Sequence, residues 1–320
     1  MIGDIFASFI ISFFLAIILI PINIFVFKRL NYRQYIREEG PSSHIKKSGT
    51  PTMGGIGIIL SILIGVSIYV DIDSNYIFFC LSLMGFGLIG FIDDFIKVSL
   101  KRNLGFKAYQ KILGQILFSL LIVLFYVFNN PDYSQLVIPF TRSSMDLGIF
   151  YIPFAIFVIL GLVNSVNLTD GLDGLSSGIT VIVTLTLTYI LYNNLPIINN
   201  NSIIYSISIA GATLGFLIYN KYPAKIFMGD VGSLALGGAL SYIFLVNKLL
   251  LVIPILGGVY FLESLSVIIQ VISYKTRKKR VFLMSPIHHH FEELGWKETK
   301  VVKVFVFAGV IFSIITIIGV

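Results

Sequence analysis

Tyr76-Ile-Phe-Phe-Cys-Leu-Ser-Leu-Met-Gly-Phe-Gly-Leu-Ile-Gly-Phe-Ile-Asp93-Asp94-Phe-Ile-Lys97 is apolar up to Ile92, with Ser82 its one polar residue, and then presents two carboxylates and an ammonium group. A run of this length matches the roughly 20 residues that cross a bilayer as a helix. A carboxylate at the edge of hydrocarbon costs a few kcal/mol unless something compensates it. The segment therefore predicts a membrane helix that ends in a compensated acidic pair.

Nine further apolar runs repeat the pattern. Together they predict ten spans, at about 3–27, 52–70, 76–96, 112–128, 149–166, 175–192, 202–219, 231–246, 250–273 and 301–320. The chain is 56% hydrophobic and 12% charged, with mean hydropathy +0.92, whereas soluble domains run at about 25% charged. The expected fold is all-α and polytopic, a single integral-membrane domain over 1–320. The first run lacks a basic start and a small-residue cleavage site, so it reads as a retained span.

Ten crossings place both termini on one side. Connections 28–51, 97–111, 167–174, 220–230 and 274–300, with Lys303, hold 21 of the 23 Lys and Arg, and the other side has only Arg142 and Lys248. The positive-inside rule makes the first group cytoplasmic and both termini external.

Several motifs lose their usual meaning in this setting. Gly85-Phe-Gly-Leu-Ile-Gly90 matches a dinucleotide fingerprint, but it lies inside a span with no preceding strand. Small residues there let helices approach closely, and Gly211-Ala-Thr-Leu-Gly215 reads the same way. The single cysteine, Cys80, excludes an intrachain disulfide and reads as a small buried hydrophobe. Lys275-Thr-Arg-Lys-Lys-Arg280 directly follows a span, so it reads as a topology anchor that attracts anionic lipid, not as a nucleic-acid site. No GxxxxGK[ST] is present, and a P-loop is unsupported.

What remains is polar and gathers on the cytoplasmic side. Lys97 lies one helical turn from both Asp93 and Asp94; a plain helix-end salt bridge is the competing reading. Asn167-Leu-Thr-Asp170-Gly-Leu-Asp173-Gly places two carboxylates at i and i+3, where an Asx-turn is the alternative. Asn220-Lys-Tyr-Pro-Ala-Lys-Ile-Phe-Met-Gly-Asp230 brings a fifth aspartate to the start of a span, as an N-cap, a metal ligand or both. Neighbouring helical residues diverge by about 100°, so His288, His289 and His290 cannot all reach one metal. One or two of them are expected on an anionic group. Lys46, Lys47, Thr52 and Lys111 add cations and a hydroxyl. Carboxylates facing lysines and glycine turns suit a phosphate-rich substrate bridged through Mg²⁺, and phosphoryl transfer, which needs charge neutralisation and positioning.

With these motifs, DDFIK at 93–97, NLTDGLDG at 167–174 and NKYPAKIFMGDVGS at 220–233, the chain resembles the polyprenyl-phosphate N-acetylhexosamine-1-phosphate transferases. KKSGTPTMGG at 46–55 and SPIHHHFEELGW at 285–296 are similar to the branch whose donor is UDP-MurNAc-pentapeptide. The resemblance implies transfer of phospho-MurNAc-pentapeptide to undecaprenyl phosphate, giving lipid I and UMP, with Mg²⁺ required. It implies that Asp93 and Asp94 are catalytic, one deprotonating the lipid phosphate or forming a covalent aspartyl intermediate. Asp230 would be catalytic and bind the metal, and His288 and His289 would join the catalytic set. Substrate would be held by Lys47, Thr52, Lys97, Lys111, Asn167, Asp170, Asp173, Asn220, Phe227 and His290.

The implied partners are the UDP-linked donor, undecaprenyl phosphate, membrane lipid and a second copy in a homodimer, with no nucleic acid. The implied place is a bacterial plasma membrane, with the active site at its cytoplasmic face. An apolar groove would take the polyprenyl chain, with Glu263 and Gln270 at its polar edge or hydrogen-bonded between helices. The sister branch, using UDP-N-acetylglucosamine, is the alternative. A secondary transporter would need ionisable groups near the midplane on broken helices, and only Glu263 lies deep in a span.

Overall fold

The computed structural model describes residues 2–30, 32, 47, 49–100, 105–141, 143–193 and 201–320. Lys46, Ser48, Arg142 and residues 194–200 lie outside the described residues. The helices are α1 (Ile2–Arg29), α2 (Gly55–Ser67), α3 (Ser74–Ser99), α4 (Ala108–Asn129), α5 (Tyr151–Thr169), α6 (Leu175–Asn193), α7 (Asn201–Asn220), α8 (Gly229–Val246), α9 (Ile253–Leu256), α10 (Gly258–Arg277), α11 (Ile287–Glu293) and α12 (Glu298–Gly319). Eight of them are long and apolar enough to cross a membrane, and the α9–α10 pair would make a ninth if its two parts form one span.

Helix α8 is the axis of the bundle. Every side chain from Val231 to Val246 is buried, and α2, α3, α4, α5, α6 and α7 all contact it. Lipid is as apolar as leucine, so helix association in a membrane depends on close packing and hydrogen bonds. The sequence of α8, rich in Gly, Ala and Ser, meets that need. Gly237 lies against the backbone of Val163 and Gly238 against the Phe86 ring, while Ser82 Oγ donates to the Gly238 carbonyl at 2.7 Å. The two small-residue motifs act as expected. Gly90 abuts the Asp230 backbone, and Gly211 and Gly215 seat α7 on the backbone of α1.

Four features depart from the sequence expectation. The apolar run at 52–70 yields a helix of 13 residues, about 20 Å at 1.5 Å per residue and too short for a 30 Å core. Its first residues are used elsewhere. Phe227 N donates to Pro51 O, Gly54 N to Phe227 O and Gly55 N to Met228 O, each at 2.9 Å. The run at 250–273 is broken by an 86° bend between α9 and α10, where Gly257 and Gly258 adjoin, as sharp kinks at such small-residue pairs do. A two-stranded antiparallel hairpin, β1 (Gln135–Ile138) with β2 (Ser143–Asp146), interrupts the all-helical pattern. Cys80 is only half-buried.

The acidic clusters and the termini occupy opposite ends of the bundle. Helix α8 starts at the carboxylates and ends at Asn247, whose amide donates to Ser202 Oγ at the start of α7. Val137 N bonds Lys248 O at that end, and Phe140 N bonds Gly319 O. Ile2 lines one groove with Asn193 there. Ser134, in the same connection, is buried, which makes exposed Ser143 the better reporter of that face. With Cys80 replaced by Ser, a cysteine at Ser143 should react with an impermeant thiol reagent added outside intact cells. Cysteines at Lys221 or Lys279 should not; labelling of either from outside would reverse the orientation drawn from the basic loops.

Candidate active site

The site forms where four helix ends meet. Asp93 and Asp94 come from the last turns of α3 and are 3% and 4% exposed; Asp230 sits in the first turn of α8. One oxygen from each lies within 4.8 Å of the others. Lys97 Nζ reaches all three carboxylates, at 2.5 Å from Asp93 Oδ2, 3.4 Å from Asp94 Oδ1 and 2.9 Å from Asp230 Oδ2. Lys111, in the first turn of α4, adds a second cation 2.8 Å from Asp230 Oδ2. From the end of α5, Asn167 Nδ2 donates to Asp230 Oδ1 at 2.9 Å and to Ser233 Oγ at 2.8 Å.

Local backbone explains the convergence. The first N–H groups of a helix lack intrahelical partners and carry positive charge. Met228, the N-cap of α8, supplies no side-chain bond. Carboxylates from elsewhere do so instead: Val231 N donates to Asp94 Oδ2 at 3.2 Å, and Gly229 N bonds Asp170. Asp230 is therefore not the cap; it lies inside the first turn with its side chain directed to the lysines. Gly229 has φ +75° and Asp94 Oδ2 where a Cβ would stand, so only glycine fits. Asp93 is fixed by Phe106 N, 2.6 Å from Oδ1.

A second group braces the turn after α5. Lys47 Nζ lies 2.6 Å from both Asp173 Oδ1 and Glu298 Oε1, and Glu298 Oε1 also accepts from Asp173 N at 2.7 Å. Burial opposes the Lys47 charge, but its bonds to Asp173 and Glu298 outweigh it and raise the lysine above its ordinary range. Asn220 takes N–H and O–H bonds from Gly174 and Ser177 and donates to Ile226 O. Thr52 is buried beside Gly229, and Phe227 is half-buried and tied by its backbone to Pro51 and Gly54.

The structure thus gathers Asp93, Asp94, Asp230, Lys97, Lys111, Asn167 and Asp170 into one cluster. It puts Lys47, Asp173 and Asn220 into bracing contacts with protein partners. The histidines divide. His288 is fully buried, 3.0 Å from Glu263 Oε2; His289 Nδ1 lies 2.8 Å from Glu292 Oε2; His290 Nδ1 accepts from Leu283 N at 3.2 Å. Glu263 does not edge an open groove, because it has no exposed surface. Gln270 binds the backbone of Val281 and Phe282. Sequence reading passed over Phe106, and over Glu298 and Ser233, whose partners Lys47, Asp173 and Asn167 lie far away in the chain.

The residues present fit a divalent metal ion. Ionised, the carboxylates of Asp93, Asp94, Asp170 and Asp230 exceed the two ammonium groups by two charges, and the donor atoms are the oxygens that hard cations take. Among the described residues these three aspartates, 93, 94 and 230, are the one group so placed.

Glycosyl transferase family 4 matches residues 75–248. That span includes every aspartate of the cluster. Over 310 residues the chain is 46% identical to the phospho-N-acetylmuramoyl-pentapeptide-transferase of Clostridioides difficile, covering 97% of this chain and 96% of the relative. The chain belongs to the phospho-N-acetylmuramoyl-pentapeptide-transferase family. Family members from Oceanobacillus iheyensis and Halalkalibacterium halodurans are 47% and 48% identical, over 96% and 97% of this chain and 95% of each relative. Such coverage extends the likeness to Lys47, Thr52 and the histidine segment, outside the family 4 match. The protein is a phosphoglycosyl transferase enzyme.

Asp170 offers a direct test of the charge balance. Burial raises its pKa well above the ordinary carboxylate value, and the charges of Asp230, Asp94 and Asp173 add to the rise, against the single Gly229 N–H. A carboxyl whose folded pKa is raised destabilises the fold once pH exceeds its unfolded value, about 4, and the penalty vanishes below it. Asp170→Asn should therefore raise the melting temperature at pH 7 in metal-free buffer by at least about 2 °C and leave it unchanged near pH 4. An unchanged or lower melting temperature at pH 7 would contradict the repulsion.

Proposed function

We propose that the protein transfers phospho-MurNAc-pentapeptide from UDP-MurNAc-pentapeptide to undecaprenyl phosphate, releasing UMP and forming lipid I for peptidoglycan synthesis, with Mg²⁺ as cofactor. The observation that carries this reading is the carboxylate cluster bridged by Lys97 and Lys111, in a chain nearly half identical, along its length, to transferases of that name. The acidic end of the bundle faces the cytoplasm of a bacterial plasma membrane, a placement supported by the basic loops. There a lipid phosphate and a soluble nucleotide can meet at one surface.

Asp230 would hold Mg²⁺, with Asp93 and Asp94 beside it. The bound ion supplies charge neutralisation on a diphosphate, the main requirement of phosphoryl transfer. The protein's own groups do the rest. Lys97 and Lys111 hold Asp230 ionised and add positive charge for phosphate oxygens. Asn167 fixes the rotation of the Asp230 carboxylate through Oδ1. Asp93 and Asp94 each bind one backbone N–H through one oxygen and turn the other toward Lys97. That second oxygen is the one placed to take the proton of the lipid phosphate. Near-complete burial keeps water from competing as acceptor.

Two measurements test the reading. Purified protein with Mg²⁺ and undecaprenyl phosphate should release UMP from UDP-MurNAc-pentapeptide and not from UDP-N-acetylglucosamine; equal turnover of both would remove the donor assignment. In a Mg²⁺ titration at saturating substrates, Asp230→Asn should need far more metal and recover in part. Asp93→Asn and Asp94→Asn should lose roughly 100-fold or more in rate at any metal concentration, the lower end of general-base effects. Near-normal rates in both would exclude the pair as the base.

A further inference from the structure

Glu263 and His288 are both fully buried, one in α10 and the other in α11. His288 Nδ1 lies 3.0 Å from Glu263 Oε2, at ion-pair distance but outside hydrogen-bond alignment, and among the described residues neither ring nitrogen and neither carboxylate oxygen has a hydrogen-bond partner. An uncompensated buried carboxylate is costly. Among the described residues, the group at ion-pair distance from Glu263 is His288. The far edge of the imidazole meets the turn after α5: a Cβ at Gly171 would stand 2.2 Å from His288 Nε2. Gly171 follows Asp170, whose carboxylate caps α8 beside Asp230. A line of contacts therefore runs from Glu263 through the ring to the transfer site.

We infer that Glu263 is a positioning residue for the transfer reaction: it sets the orientation of the His288 ring and keeps the proton on Nδ1, leaving Nε2 toward the Asp170–Gly171 turn. The inference rests on the proposed transferase reading. Which ring nitrogen carries the proton follows from the bond that the other makes. An ionised carboxylate beside Nδ1 accepts and does not donate, which favours the tautomer with the proton on Nδ1. Contacts that look poorly aligned at rest commonly tighten once substrate is bound. The pair also joins α10, beyond the 86° bend, to α11. The bend therefore places a carboxylate from a broken span under the histidine loop.

Full-length protein in detergent, with ¹⁵N-labelled histidine, gives the decisive measurement. The His288 ring signals, assigned by their loss in His288→Gln, should show Nδ1 protonated in the unaltered protein. A proton on Nε2 with a bare Nδ1 would overturn the inference, whether or not any Glu263 variant folds. In UMP-release kinetics, Glu263→Met should lower kcat by roughly 10- to 100-fold, the range seen when a partner that orients a functional histidine is removed. Its KM for the donor should move much less. Glu263→Gln, which keeps an acceptor, should retain more activity than Glu263→Met. In a His288→Gln background, Glu263→Met should change the remaining rate by less than about twofold, since it acts through the ring. Unchanged kcat in Glu263→Met, or losses that multiply in the double variant, would remove the positioning role. An inactive unaltered protein would count against the transferase reading alone, because the ring signals are measured without turnover.

Discussion

The open N-terminus of α8 is the constraint around which this molecule is arranged. A helix that starts inside a bundle leaves several N–H groups without intrahelical partners, and other parts of the chain can take them. Asp94 from α3 and Asp170 from the turn after α5 fill that role. In doing so they bring one buried and one half-buried carboxylate next to Asp230, in the same first turn. The need to cap a helix and the need to gather acid are met by the same two bonds.

Gathering acid creates a second need. Carboxylates that share a site raise one another's pKa and push toward neutrality unless cations intervene. Lys97 and Lys111 bridge the cluster from α3 and α4, and charge remains for a divalent ion to neutralise. Close by, Lys47, Asp173 and Glu298 balance one another and pin the NLTDGLDG turn to the start of α12. The turn is held from below as well, by the His288 ring against Gly171. Rigid bracing of this kind suits phosphoryl transfer, in which positioning and fixed charge carry most of the catalysis.

Close approach of backbones makes the arrangement possible. Gly90 lets α3 lie on the Asp230 peptide, and residues 51–55 run along 227–228 with three backbone bonds. Those bonds take the start of a would-be span and turn it into a wall of the site. A membrane helix two turns longer at α2 would cross the bilayer fully, but it would leave the chain around Phe227 and Met228 without partners.

The sequence by itself determined the membrane class, eight of the helices long and apolar enough to cross a bilayer and the gathering of the aspartates at one end. Each of these depends on properties that are local in the chain. Hydrocarbon selects apolar runs of a set length, and an uncompensated carboxylate is least costly where a span ends, so alternation along the chain brings Asp93, Asp94, Asp170 and Asp230 to one face. Tertiary structure alone decided the rest. The short α2 and the 86° bend between α9 and α10 leave no mark in hydropathy, because an apolar residue reads the same in a straight or a broken helix. The partners of Lys47 and His288 are likewise beyond sequence. Sequence reading passes over Glu298 in a loop and takes Glu263 as the polar edge of a groove or an interhelical hydrogen-bonding group; their partners Lys47 and His288 are set only where distant helices pack. Which carboxylate caps a helix, which one balances a lysine and which stays open for metal depends on angstrom-scale distances between segments far apart in the chain, and those distances are set by packing.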